Sequence, residues 1–357
     1  MNVAQAKQTV RAWIEANTAR WPGLRAAHLV GGVNSLPDEA PFPANKDIDL
    51  HLVFAEDSPI LRAEGPFMNI LEESLARLAV EAGIKSVADY RSPGLVLCNP
   101  EIAYHLTVDS VLYDPSFLLR DLQSEVRRGY ARRRWVHARI DHERHGLDRA
   151  FAMRPMAAAH LGPSGEVSIL GYAMTFLTTV LQVAQLRAPR IGSGMLVRMR
   201  EALSDCGRLD LYDDVLALFG LQDVTPTQVE DLLNDGIDAF DLAVAVIKTP
   251  HPAQHKMHRH LRPYFVESCG GMVAAGDHRE ALFWGILFCL TSTDVILADG
   301  PAAVQPAFAA YQHRFLQALG MDDAGARADR YVQAERLADR FFALAEEIID
   351  RHPEIED

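Results

Sequence analysis

The hydrophobic period of this chain changes once, near Asp114-Pro115, and that change limits what it can fold into. Before it, short apolar or alternating runs stand between glycine- and proline-bearing loops, the pattern of strands. After it, nearly every stretch repeats its apolar residues at helical spacing. The expected fold class is therefore α+β. A mixed sheet with flanking helices occupies residues 1–115, and an all-α helical bundle occupies residues 116–357.

The spacing of Val3, Ala6, Val10, Trp13 and Ile14 predicts a helix from about Val3 to Thr18. Leu24–Val30 reads as a strand that ends at Gly31-Gly32, and a loop with Pro37, Pro41 and Pro43 follows. Asp47–Phe54 (DIDLHLVF) reads as a second strand and Phe67–Ala82 as an amphipathic helix. Further strands are expected near Ser86–Tyr90, Gly94–Cys98 and Ile102–Leu112. In the second part, helices are expected over Tyr172–Leu186, Thr227–Ile247, His278–Leu297, Ala302–Leu319 and Ala326–Asp350. Thr225-Pro226-Thr227-Gln228 has the spacing of a capping box with proline in the first turn. Asp277-His278-Arg279-Glu280 repeats that logic with an aspartate cap.

The 357 residues are 49% hydrophobic and 23% charged, which is ample for a large core without disulfides. Cys98, Cys206, Cys269 and Cys289 form no metal-binding spacing and read as free thiols in a reducing cytoplasm. The N-terminus lacks the apolar core of a signal peptide. The most apolar stretch, Ala281–Leu297, reads as a buried helix rather than a membrane span. The net charge of −13 argues against a general nucleic-acid binder, whose affinity rests on phosphate contacts. It favours a small, cationic partner. The two last helices are long enough to pack across a homodimer.

Three features carry chemistry. The first is the glycine turn with hydroxyl, Gly31-Gly32-Val33-Asn34-Ser35. The second is Asp47-Ile48-Asp49, where residues two apart on a strand share a face, so that two carboxylates repel unless a cation joins them. Magnesium takes one or two carboxylates together with substrate phosphates. The third is Asp109 in LTVDSVL, an acid expected midway along an apolar strand, where it is costly unless paired or metal-bound. Two ions about 4 Å apart on such acids would serve an in-line phosphoryl displacement. Gly31 and Gly32 would let backbone N–H groups approach a triphosphate, with Ser35 adding a hydroxyl contact.

The stretch GGVNSLPDEAPFPANKDIDLHLVF followed by LTVDSV resembles the nucleotidyltransferase superfamily of DNA polymerase beta. The helical remainder is similar in layout to aminoglycoside nucleotidyltransferases of the kanamycin type. The resemblance implies a phosphate-binding turn at Gly31, Gly32 and Ser35. It implies a metal triad and catalytic centre at Asp47, Asp49 and Asp109, with two Mg2+ ions. The implied co-substrate is a nucleoside triphosphate, with ATP expected, and the implied acceptor is a hydroxyl of a small molecule. The active site would lie between the two parts. This chain departs from the family pattern in having Gly32 where serine is usual, in placing its serine at Ser35, and in a longer loop to Asp47. Three alternatives stay open: a transferase acting on a protein or tRNA, a nucleotide-binding module that has lost its chemistry, and a scaffold whose helical half mediates association and whose acids are incidental.

Two further clusters stand out. Arg127, Arg128, Arg132, Arg133, Arg134, Arg139 and Arg144 form a basic run, read mainly as a solvated helix face from which one or two members reach phosphate. His251, His255, His258 and His260 surround Pro252 and read as a polar patch, with metal binding the lesser alternative.

Overall fold

The computed structural model describes residues 1–63, 67–70, 75 and 78–357. The chain is α+β, and it divides into two compact units. The first comprises Met1–His142, Gln182–Arg190 and Ile349–Asp357; the second comprises Glu143–Leu181 and Ile191–Ile348. The first unit thus runs beyond residue 115 and takes in the helix that follows the last strand.

In the first unit, helix α1 (Val3–Asn17) is opened by Asn2, whose side chain accepts from the Gln5 N–H while Gln5 returns the bond. Among the described residues the five strands are β1 (Leu24–Leu29), β2 (Ile48–Phe54), β3 (Phe67–Ile70), β4 (Val80–Ser86) and β5 (Val111–Tyr113). Their order in the sheet is β3-β4-β2-β1-β5. Only β2 and β4 are parallel; the other pairs are antiparallel, so the sheet is mixed. Ile48, Leu50, Leu52 and Phe54 face one side, where they form a core with the buried face of α1. Ala26, Val53 and Val111 face the other side, against Val96, Leu97, Ile102, Leu119 and Val126.

Four of the sequence expectations here are corrected. Phe67–Ala82 is not one helix. Residues 67–70 form β3, and Val80–Ala82 begin β4, which runs in parallel register from Ile48↔Val80 to Phe54↔Ser86. The rest of that expected helix lies at Leu75, which is buried, and at residues 71–74, 76–77 and 78–79, of which the first two groups fall outside the described residues. The expected strand Ser86–Tyr90 is a 3-10 turn over Val87–Tyr90, capped by Ser86. The expected strand Gly94–Cys98 is helix α3 (Pro93–Leu97), where α2 is the short Ile60–Ala63. The expected strand Ile102–Leu112 is helix α4 (Pro100–Ala103), a series of turns, and then β5. The physical reason is local: Ser92 caps Leu95 N–H and Asn99 caps Glu101 N–H, each followed by proline at the first helical position. Ser-Pro and Asn-Pro were start signals outweighed by the apolar content around them.

Helix α5 (Leu118–Gly129) is followed by α6 (Arg133–Ala152) and α7 (Arg154–Ala184), the last broken at Gly162-Pro163. Then come α8 (Met195–Asp205), α9 (Leu209–Leu218), α10 (Pro226–Val246), α11 (Arg262–Ala274), α12 (His278–Asp299), α13 (Gln305–Ala318) and α14 (Ala324–Arg351). The second unit is built around α12, whose Phe288 stacks on Phe265 of α11 and meets Phe240 of α10. By length and composition α7 and α12 are apolar enough to cross a bilayer, but 67% and 78% of their most apolar windows are buried inside the protein. For α12 this is the burial expected of Ala281–Leu297; α7 is a second such helix.

The Thr225 capping box forms as expected, with Thr225 Oγ1 accepting from Gln228 N–H at 3.3 Å. The capping logic at Asp277 does not hold, because that side chain makes no cap bond. Instead Asp277 accepts from Arg200 Nη2 at 2.8 Å, and the fully buried Glu280 accepts from Arg200 Nη1 at 2.7 Å and from the Tyr212 hydroxyl. Glu280 therefore exchanges water for one guanidinium and one phenol. Glu280→Ala strands Arg200 and Tyr212 and is expected to cost about 2 kcal/mol, below the range for wholly buried pairs because Arg200 is a third exposed. Glu280→Gln, which keeps an acceptor, is expected to lose less; urea denaturation of both variants measures the difference.

Candidate functional site

The candidate residues gather around one end of β1. Strand β1 ends at Leu29, Val30 follows in extended conformation, and Gly31–Ser35 form a 3-10 turn. Antiparallel pairing sets Leu29 opposite Leu50 of β2, and Val30 N–H donates to the Asp49 carbonyl at 2.9 Å. On the other side Leu29 N–H donates to the Ser110 carbonyl at 2.8 Å. The segments bearing Asp49 and Asp109 thus flank the strand that delivers the glycine turn.

Gly31 sits at φ +65°, a conformation that glycine tolerates best. A Cβ built there would lie 2.2 Å from Asp49 Oδ2, so the Asp49 carboxylate occupies the space a side chain would need. Gly32 is different: a Cβ there meets nothing within 4 Å, and the turn is open at that point. Within the turn, Ser35 Oγ and Asn34 Oδ1 are buried and have no hydrogen-bond partner. Buried polar atoms without partners are uncommon and call for a reason.

Asp47 immediately precedes β2 and Asp49 is its second residue; both are half-buried. In the parallel ladder Asp49 aligns with Glu81 of β4, so the two acids share a face. Glu81 is the residue that sequence reasoning missed. It lay inside the expected helix Phe67–Ala82, and only the β2–β4 register brings it beside Asp49. Asp109 is corrected in one respect. It lies in a bend two residues before β5 and is exposed, so it carries none of the burial cost expected of an acid inside an apolar strand. Its loop is held from α5, where Gln123 Nε2 donates to the Val108 carbonyl at 2.9 Å and Arg127 Nε to the Thr107 carbonyl at 2.8 Å.

The donor chemistry suits a hard cation. Asp49 and Glu81 are anionic neighbours on one face, and Asp47 precedes them at the same sheet end. Among the described residues, however, no group of three or more acids, histidines or cysteines closes around a common point. Sheet register brings Asp49 to the glycine turn and Glu81 beside Asp49, with Asp47 just before β2 and Asp109 across β1.

Behind Asp49, on the same face, lies a buried polar cluster. His28 Nε2 is 2.9 Å and His51 Nδ1 3.3 Å from the Tyr90 hydroxyl, and the two imidazoles meet edge to face. Burial lowers the His28 imidazole to about 4 and drives His51 down, and it raises the Tyr90 hydroxyl. Each is therefore uncharged near neutral pH, as burial away from solvent requires.

Most of the basic run has a structural task. Arg139 is fully buried, donating to the Leu97 carbonyl at 3.0 Å and the Tyr130 carbonyl at 2.7 Å. Arg133 pairs with Asp350 and Asp357, Arg134 stacks over Trp135, and Arg144 lies over Phe342. Of the seven, Arg127 stands nearest the candidate site in the chain of contacts, through Thr107. The histidine cluster shapes turns: His251 Nδ1 accepts from Ala253 N–H, and His258 stacks on His260.

No model of a known protein family matches the chain, and no curated protein matches it.

Two outcomes follow from this geometry. Gly31→Ala must displace the Asp49 carboxylate and strain the turn, and is expected to lower the melting temperature by several degrees, roughly 2 kcal/mol; Gly32→Ala, with open space, is expected to change it little. The second concerns pH. His28 binds its proton near 6.5 in the unfolded chain but only near 4 in the folded one. The stability it contributes is complete above pH 6.5 and is lost as pH falls toward 4, by up to about 1.4 kcal/mol per pH unit. His28→Gln is expected to flatten part of that fall in denaturation curves taken across the window.

Proposed function

We propose that this chain is a magnesium-dependent nucleotidyltransferase of the DNA polymerase beta type. It moves a nucleoside monophosphate, AMP from ATP in the first instance, to a hydroxyl of a small acceptor and releases pyrophosphate. The observation that carries the reading is the packing of Asp49 into the space left by the missing side chain of Gly31. A glycine turn and an acid-x-acid strand that need each other sterically behave as one device, as a phosphate turn beside a metal-binding acid would. Asp47, Asp49 and Asp109 would hold magnesium, with Glu81 as an additional carboxylate beside Asp49. Magnesium would supply charge neutralisation on the phosphates and polarise the attacking hydroxyl. The chain's own part is positioning: Gly31 and Gly32 admit the phosphates, and Ser35 offers a hydroxyl to them.

The net charge of −13 supports a small cationic acceptor of aminoglycoside-like chemistry over tRNA, and four free cysteines fit a cytoplasmic setting. A second reading, a nucleotide-binding module without catalysis, is favoured by two observations: Asp109 is exposed, and among the described residues no group of three acids closes around a point.

Calorimetry with each nucleoside triphosphate, with and without magnesium, separates these. One triphosphate is expected to bind only with magnesium, and Asp47→Ala/Asp49→Ala is expected to lose at least about tenfold in affinity. Glu81→Gln is expected to weaken the magnesium dependence. Binding without pyrophosphate release against any polyamine-bearing acceptor supports the module; no triphosphate binding by the wild-type chain sinks both.

A further inference from the structure

The glycine turn is tied to the rest of its unit by a residue the functional reading does not use, His105. Its ring is 2% exposed and packs edge to face on Tyr104. Burial lowers the imidazole to about 3, so it is neutral at physiological pH and presents one acceptor nitrogen. The Gly31 N–H donates to His105 Nε2 at 3.3 Å. The Asn34 amide stands 3.0 Å from Nδ1 and donates to the Leu29 carbonyl at 2.9 Å. The His105 carbonyl accepts from Ser110 Oγ at 2.5 Å, and the Ser110 carbonyl accepts from Leu29 N–H. One residue therefore bonds the first residue of the turn through its ring, packs that ring against Asn34, and bonds the segment next to Asp109 through its backbone.

We propose that His105 is a positioning residue that fixes the 31–35 turn against the segment carrying Asp109, so that the turn is preformed for a triphosphate. The link from a preformed turn to triphosphate affinity rests on the nucleotidyltransferase reading; the anchoring itself does not. The Gly31 N–H is given to His105 rather than to a strand partner, and at φ +65° the chain turns there into the 3-10 segment. Without that acceptor a half-buried donor would be left unpaired, which is costly. A neutral imidazole supplies the acceptor without bringing a charge next to the acids, as a carboxylate would.

Two variants test this in the full-length chain. His105→Phe keeps the ring packing and removes both nitrogens; His105→Gln keeps an acceptor within reach of the Gly31 N–H. Hydrogen–deuterium exchange of the segment 29–36 is read beside that of β4 as an internal control, and the affinity for ATP with magnesium is read by calorimetry. His105→Phe is expected to speed exchange in the turn by about tenfold with β4 unchanged, and to weaken ATP binding by a similar factor. His105→Gln is expected to bring both back to within roughly threefold of wild type. Unchanged exchange in the turn, or exchange raised equally in β4, overturns the proposal. Exchange that behaves as expected while the wild-type chain binds no triphosphate leaves the anchor standing and removes the nucleotidyltransferase reading.

Discussion

The ladders on either side of β1 fix where every candidate residue stands. Leu29 pairs with Leu50 on one side and is bonded to Ser110 on the other. A shift of one residue in the β1–β2 register would turn Asp49 into the apolar core and Leu50 out of it, because strand side chains alternate. The hydrophobic set Ile48, Leu50, Leu52 and Phe54 makes such a shift expensive, since all four are fully buried. The core on one face thus holds the acids and histidines in place on the other.

That second face is unusual in what it buries. His28, His51, His105 and Tyr90 are all nearly or fully inaccessible, and they partner one another or backbone groups. Burial keeps the imidazoles neutral, so the cluster provides hydrogen-bonding groups without charges. A polar interior of this kind is stable only when its members find partners. Here the partners come from separate segments: β1, β2, the turn after β4, and the turns before β5. The His28–Tyr90–His51 contacts join β1 to the strand that carries Asp49, and the His105 bonds join the glycine turn to the segment that carries Asp109.

The helical unit solves the same problem with charges. Glu280 in α12 meets Arg200 and Tyr212, while Glu166 in α7 accepts from Arg154 at 2.8 Å and Arg327 at 2.6 Å. Asp294, in the middle of apolar α12, accepts from Ser164 Oγ and Gln312 Nε2, each at 2.7 Å. In the sequence Glu280 looks like part of a helix cap, since nothing local distinguishes an acid met by a distant arginine from one met by water. The partners of these acids lie 12 to 161 residues away.

The sequence by itself determined the elements whose information is local. α1, β1, β2, the glycine turn and the Thr225 helix start all follow from periodicity and cap chemistry within a few residues. The change of period near Asp114-Pro115 likewise separates sheet from helices. Tertiary structure decided whatever depends on pairing across the chain. Val80–Ser86 is a strand because β2 and β3 lie on either side of it, and that pairing alone sets Glu81 beside Asp49. Asp109 is exposed because α4 and the turns after it replace the long strand that its apolar neighbours suggested. Those neighbours, Leu106 and Val111, are indeed buried, Val111 as the first residue of β5 and Leu106 from the turns packed under the sheet. Burial of an apolar residue is written in its composition; which partner buries it, and which face its neighbours then show, is settled only when distant segments meet.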